Sequence, residues 1–112
     1  MSEDDNIMEK AKKFIEENYR ENITREDVAL VAYVTPNYFS KLFWNHMGMN
    51  LREYINRLRI DEAKRLLLST SMSVSEIASY VGYYNISYFS TVFRKLVGTS
   101  PVEWRESLAG ER

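Results

Sequence analysis

Asn37, Ser40 and Lys41 share a segment with Phe39, Leu42 and Phe43, whose spacing is that of a buried helical face. The three polar residues are therefore left to point outward. A carboxamide, a hydroxyl and an ammonium on one helical face can reach base-pair edges. Asn makes paired hydrogen bonds to adenine, and Lys donates to guanine or to a phosphate. Further along the chain Ile86, Ser87, Ser90 and Thr91 fall on a matching face. There the Ile and Thr methyl groups can meet a thymine methyl, but no long basic side chain stands at the centre. Arg94 and Lys95 follow in this second segment, and Asn45 lies at the corresponding end of the first. These suit the sugar-phosphate backbone, so the second segment is expected to read fewer bases and to grip more backbone. Thr24, Thr35 and Ser73 stand at expected helix starts, where N–H groups without helical partners attract phosphate. Tyr38 and Tyr88 are read first as packing residues, with a phenol hydroxyl reaching phosphate as the second reading.

The two segments are copies. Tyr38-Phe39-Ser40, Phe43, Gly48 and Glu53 recur as Tyr88-Phe89-Ser90, Phe93, Gly98 and Glu103, with Tyr54 answered by Trp104. Each copy is preceded by a capped short helix, Thr24-x-x-Asp27-Val28-Ala29 and Ser73-x-x-Glu76-Ile77-Ala78. The caps are one residue closer together than the later motifs, so the second copy carries an extra residue in its turn. Short helix, tight turn and longer helix, twice over, describe a tandem helix-turn-helix arrangement.

The elements that must position these residues follow from caps and periodicity. Residues 1–5 are polar and expected to be flexible. The first helix-turn-helix subdomain is expected over 6–49, beginning with a helix that places Ile7, Ala11, Phe14 and Ile15 on one face. Thr24 caps a helix over about 25–32, Thr35-Pro36 opens one over about 36–47, and Gly48 ends it. A long linker helix over 50–69 starts at Asn50-x-x-Glu53. Its apolar residues change phase midway, from Leu51, Tyr54, Ile55 and Leu58 to Ile60, Ala63 and Leu67. Two successive apolar faces suit a rod of about 27 Å with a subdomain packed at each end. Successive major-groove faces are ~34 Å apart, a distance such a rod and two flanking helices can span. The second subdomain is expected over 70–108, with a helix from Ser73 to Val81, a turn at Gly82 and a recognition helix over about 86–97. Ser100-Pro101-x-Glu103 caps the last helix, and 109–112 form a tail. The fold class is all-α, with about seven helices.

Composition narrows the function classes. The chain has 112 residues, no cysteine and a single histidine, His46, which excludes a disulfide scaffold and leaves no second histidine for metal or acid–base chemistry. It has no nucleotide-binding loop, no nucleophile with a partner and no paired carboxylates, so an enzyme is not expected. No cofactor is expected. No apolar run reaches the roughly 18 residues of a membrane span, and the acidic start is unlike a signal peptide, so the protein reads as cytoplasmic with no membrane partner. The net charge of −1 is modest for a nucleic-acid binder, but it is unevenly spread: residues 1–27 carry nine acids and five bases, and residues 28–112 carry ten bases and seven acids. A protein-interaction module would need an exposed apolar stripe, yet positions 37, 40, 41, 87, 90 and 91 are polar and Ile86 is the exception.

From Ala29 to Trp104 the chain resembles the AraC/XylS-type DNA-binding domain of bacterial transcription regulators. The resemblance rests on Tyr38-Phe39-Ser40-Lys41-x-Phe43 with Gly48, then Arg59-Ile60-x-x-Ala63-x-x-Leu66-Leu67. It continues through Ile77-Ala78-x-x-x-Gly82-Tyr83 and Ser87-Tyr88-Phe89-Ser90-x-x-Phe93-Arg94-Lys95-x-x-Gly98-x-Ser100-Pro101. The helix from Ala11 to Tyr19 looks like the version joined to receiver domains in two-component response regulators. The resemblance implies sequence-specific binding of double-stranded promoter DNA by recognition helices in successive major grooves, with RNA polymerase as a further partner. It also implies a regulatory or receiver domain outside this chain, with an isolated domain that is monomeric and a dimer formed by the longer protein. Two positions depart from the pattern. Tyr33 stands where the first turn usually has glycine, so that turn is expected to be distorted or wider. Thr91 stands where a basic residue is usual, which weakens base reading by the second unit.

Overall fold

The computed structural model describes residues 2–109, and among them there are seven helices and no strand. They are α1 (Glu3–Asn18), α2 (Arg25–Val31), α3 (Pro36–Met47), α4 (Leu51–Ser69), α5 (Val74–Val81), α6 (Ile86–Val97) and α7 (Pro101–Ala109). The chain divides into two compact units, one ending at Ile55 and the other beginning at Asn56. The helix expected as a separate linker, α4, is thus shared: its first turn belongs to one unit and the remainder to the other.

In the first unit α1 packs on α2 and α3, and α2 packs on α3. Ile7, Met8, Ala11 and Ile15 of α1 are buried, as are Val28 and Ala29 of α2, and Phe39, Leu42 and Phe43 of α3. Phe14 is only half-buried. The Phe43 ring lies 5.4 Å from Phe39 and meets Tyr54 of α4 edge-on at 5.6 Å. Tyr54, expected in the core, is half-buried because its hydroxyl turns outward to donate to Glu16 at 3.4 Å.

The start of α1 departs from expectation. Ser2 is its N-cap, with Ser2 Oγ accepting from the Asp5 N–H at 3.1 Å and the Asp5 carboxylate accepting from the Ser2 N–H at 3.4 Å. This reciprocal pair satisfies two donors that a flexible segment would leave to water, so helix begins at Glu3 where the polar composition suggested a loose end. At the other terminus Ala109 completes α7, and the rest of the expected tail lies outside the described residues.

The second unit has a continuous core. Ile60, Ala63, Leu66 and Leu67 of α4 pack with Ile77, Ala78 and Val81 of α5, Tyr83 of the turn, and Phe89, Val92 and Phe93 of α6. Its last helix is fastened to α4 by polar contacts. Arg105 donates to the carbonyls of Leu67 at 2.8 Å, Thr70 at 3.3 Å and Met72 at 2.7 Å. Trp104 donates from Nε1 to the Lys64 carbonyl at 3.4 Å, and the Lys64 ammonium sits 4.8 Å from the indole ring centre. Trp104 is half-buried and packs against this core, with its indole N–H turned to α4.

The first turn corrects a second expectation. In the second unit Gly82 has φ 116°, and the Tyr83 N–H donates across the turn to the Ala78 carbonyl at 2.9 Å. In the first, Tyr33 adopts φ 61°, and the Val34 N–H donates to the Ala29 carbonyl at 3.0 Å. The same bond closes both turns, so the tyrosine has not widened the first. It is accommodated because its side chain is 86% exposed, with the Lys10 ammonium 5.6 Å from its ring centre. The backbone conformation still costs an L-residue about 1–2 kcal/mol. Tyr33→Gly should accordingly stabilise the protein by about 0.5–1 kcal/mol, after allowance for the greater chain entropy of unfolded glycine. A denaturation midpoint lowered by the substitution would show that the strain is imaginary.

Candidate nucleic-acid interface

Each unit presents its second helix with a buried apolar side and an exposed polar side. In α3 the anchors Phe39, Leu42 and Phe43 fix the rotation of the helix, and Thr35 fixes its start by accepting from the Tyr38 N–H at 3.2 Å. At 100° per residue this leaves Asn37, Lys41, Tyr38 and Asn45 on one outward arc, and all four are exposed. Ser40 stands apart from them. It is half-buried toward α2, where its hydroxyl oxygen accepts from Arg25 Nη1 at 3.1 Å.

The outward arc also contains Trp44, which is 55% exposed between polar neighbours. Trp44 was missing from the sequence-based set because aromatic residues at this spacing usually pack inward. Its equivalent fifty positions on is Arg94. Comparing the two copies position by position would have exposed it as a surface site.

In α6 the anchors are Phe89, Val92 and Phe93, and Asn85 caps the start by accepting from the Tyr88 N–H at 3.1 Å. Ser87, Thr91, Arg94 and Lys95 face outward together, with Tyr88 beside them. Ile86 and the half-buried Ser90 share an adjoining flank. Two of these groups are already engaged. The Thr91 hydroxyl donates to the Ser87 carbonyl at 3.0 Å, which turns its polar atom back on its own helix. The Arg94 guanidinium donates to Glu103 at 3.1 Å, and that carboxylate also accepts from the Ser100 N–H at 2.9 Å. Hydrogen bonds from Ser100 first, and the Arg94 charge after them, hold the Glu103 carboxyl below its usual pKa.

A tyrosine cluster frames the start of α6. Burial pushes the Tyr83 phenol up to about 12. Its hydroxyl donates to Asn56 Oδ1 at 2.7 Å, and the Arg59 guanidinium lies 5.1 Å from its ring centre. The ring contacts Tyr88 at 5.8 Å and Phe89 at 5.4 Å. The extra residue of this turn is Tyr84, which is 99% exposed and lies directly before the Asn85 cap.

The helix starts are not equivalent electrostatically. α3 and α6 have no acid of their own in their first turns, which favours an anion there, although Asp4 of α1 reaches the Tyr38 hydroxyl at the start of α3. α2 and α5 carry acids there, and each uses a capping box. Thr24 accepts from the Asp27 N–H at 3.1 Å while Asp27 accepts from the Thr24 N–H at 2.9 Å. Ser73 and Glu76 repeat the arrangement, both bonds at 3.1 Å. The free N–H groups expected at Thr24 and Ser73 are thus partly taken, and a carboxylate stands where a phosphate would come. Tyr38 differs from expectation too: its hydroxyl donates to Asp4 at 2.6 Å, and this bond to a carboxylate raises the phenol pKa.

Among the described residues no three His, Cys, Asp or Glu side chains are grouped to hold a metal, and no helix is long and apolar enough to cross a membrane.

Comparison with known proteins agrees with this architecture. Residues 28–107 match a family described as a helix-turn-helix domain. The regulatory protein PocR of Salmonella typhimurium is 35% identical over 104 residues, covering 93% of this chain and 34% of PocR. The lactose operon transcription activator of Staphylococcus xylosus is 38% identical over 92 residues, covering 82% of this chain and 33% of that protein. The chain spans about a third of the length of these relatives. Among solved structures, the C-terminal domain of AraT, a response regulator from Geobacillus stearothermophilus, superposes with a TM-score of 0.85 at 34% identity, covering 90% of this chain and 84% of that one. The DNA-binding domain of AdpA, a global transcriptional factor solved in complex with a target DNA, gives a TM-score of 0.87 at 25% identity, covering 96% of each chain. With two helix-turn-helix units built on the same motifs, this chain belongs to the AraC-type family of helix-turn-helix DNA-binding domains.

Proposed function

We propose that this chain reads double-stranded promoter DNA through the exposed rows of α3 and α6, each helix entering a major groove, and that it does so as the DNA-binding part of a response regulator. The observation that carries the reading is the pairing of an acid-free helix start with an outward polar row in both copies. In the first, Asn37 and Lys41 are the base readers, Asn45 holds the backbone and Ser40 supports Arg25 at the flank. In the second, Ser87 and the methyl of Thr91 face the bases, Ile86 and Ser90 border them, and Lys95 and Arg94 hold phosphates. Thr35 and Tyr88 are backbone contacts. Thr24, Ser73 and Tyr38 are weaker ones, because a carboxylate stands beside each: Asp27, Glu76 and Asp4. Control of transcription makes RNA polymerase the further partner.

Selection of bound duplexes from a random pool at moderate salt tests the reading. Two enriched motifs about one helical turn apart are expected. A single motif would assign reading to α3 alone, and no enrichment would refute sequence-specific binding. On the enriched duplex, Lys41→Ala should cost ~1–3 kcal/mol of binding if Lys41 meets a base. If it meets a phosphate, the salt dependence should instead fall by about one unit. An unchanged affinity would remove Lys41 from the interface.

A further inference from the structure

The acidic first turn of α1 lies against α3 within the first unit. Glu3, Asp4 and Asp5 are its first three residues. Asp4 Oδ1 accepts from the Tyr38 hydroxyl at 2.6 Å, and Asp5 Oδ1 lies 3.7 Å from His46 Nε2. Tyr38 and His46 are two turns apart on α3, so these contacts run along the helix and not at one point. Ile7 and Met8, in the next turn of α1, are buried and hold this end of the helix down. The capping box of Ser2 and Asp5 orders the turn itself. A row of carboxylates is therefore fixed beside the flank of α3 that also exposes Lys41 and Asn45.

We propose that this acidic turn is an electrostatic brake on DNA binding by the first unit, with Asp4 occupying the Tyr38 hydroxyl that a phosphate would otherwise take. The inference rests on the DNA-binding reading above. A duplex docked on α3 brings phosphates to the flanks of the helix, and charges closer than about 10 Å interact appreciably at 0.1 M salt. The repulsion acts on every duplex alike, because it is felt by the backbone. Hydrogen bonds to the correct bases are untouched by it. The brake thus lowers affinity for unrelated sequence to a level at which the base contacts decide where the protein stays.

The test compares Asp4→Asn with the unaltered chain and with Glu17→Gln, which removes one charge from the exposed far end of α1. Asn keeps an oxygen to accept from Tyr38, so the docking of α1 survives while the charge is lost; circular dichroism melting checks this. Binding is read by fluorescence anisotropy on the selected duplex and on an unrelated duplex of equal length, at about 50 and about 200 mM salt. Asp4→Asn should tighten both duplexes roughly three- to tenfold at the lower salt, with a smaller gain at the higher. Glu17→Gln should change little. Equal or weaker binding by Asp4→Asn overturns the brake, as does an equal gain from Glu17→Gln, which would reduce the effect to net charge. Failure of both the unaltered chain and Asp4→Asn to bind any duplex would overturn the DNA-binding reading, and the brake with it.

Discussion

Phe43→Ala is expected to remove about 3–5 kcal/mol of stability, a large part of the ~5–15 kcal/mol that holds a domain folded. Phe43 is 1% exposed and bridges two elements, touching Phe39 on its own helix and Tyr54 on α4. Truncation leaves a cavity that neither ring can fill without abandoning the other, so the loss should lie toward the upper end. Because the same ring sets the rotation of α3, DNA affinity should fall as well, even at temperatures where the variant remains folded. Denaturant unfolding followed by circular dichroism measures the first effect. A midpoint within error of the parent protein would remove Phe43 from the core.

The second large effect is expected at Arg105. Its guanidinium donates to three carbonyls at and beyond the end of α4, where the last carbonyls of a helix have no helical partner. Arg105→Ala should destabilise the protein by about 2–3 kcal/mol, since charged hydrogen bonds are lost and partly buried acceptors are left waiting. Arg105→Lys should restore only a fraction, because an ammonium cannot reproduce the planar fork that spans separate carbonyls. Full restoration by Lys would mean that charge near the helix end, and not the fork, is what counts.

Arg105 also marks the boundary of what the sequence discloses. Helices, caps and turns are local: Thr35-Pro36, Asn85, Gly48 and Gly98 announce their roles within a few residues, and the structure has each in place. The repeat made the all-helical architecture legible for the same reason, since each copy vouches for the other. Contacts between residues far apart in the chain leave no such trace. The bonds of Tyr38 with Asp4, Ser40 with Arg25 and Arg105 with Leu67 each join side chains to partners more than a dozen residues away. The first two engage candidate site residues, Tyr38 and Ser40, with partners that nothing nearby in the sequence announces. Trp44 escaped for a different reason. An aromatic ring at helical spacing is counted as core by default, and only burial separates it from Phe43 next door. Tyr33 shows the opposite limit, where the departure from glycine was visible and the expected distortion did not follow.

The clasp at Arg105 has a consequence for synthesis. The first unit is complete in sequence once Ile55 has been made, whereas the carbonyls that close α4 wait for a side chain fifty residues later. At ~5–20 residues per second this interval lasts roughly 3–10 seconds. Within it Ile60, Leu66 and Leu67 are made well before Phe89, Val92 and Phe93, the residues that complete the core they enter. Until then the second unit keeps its apolar surface open, a stage at which chaperones have something to hold.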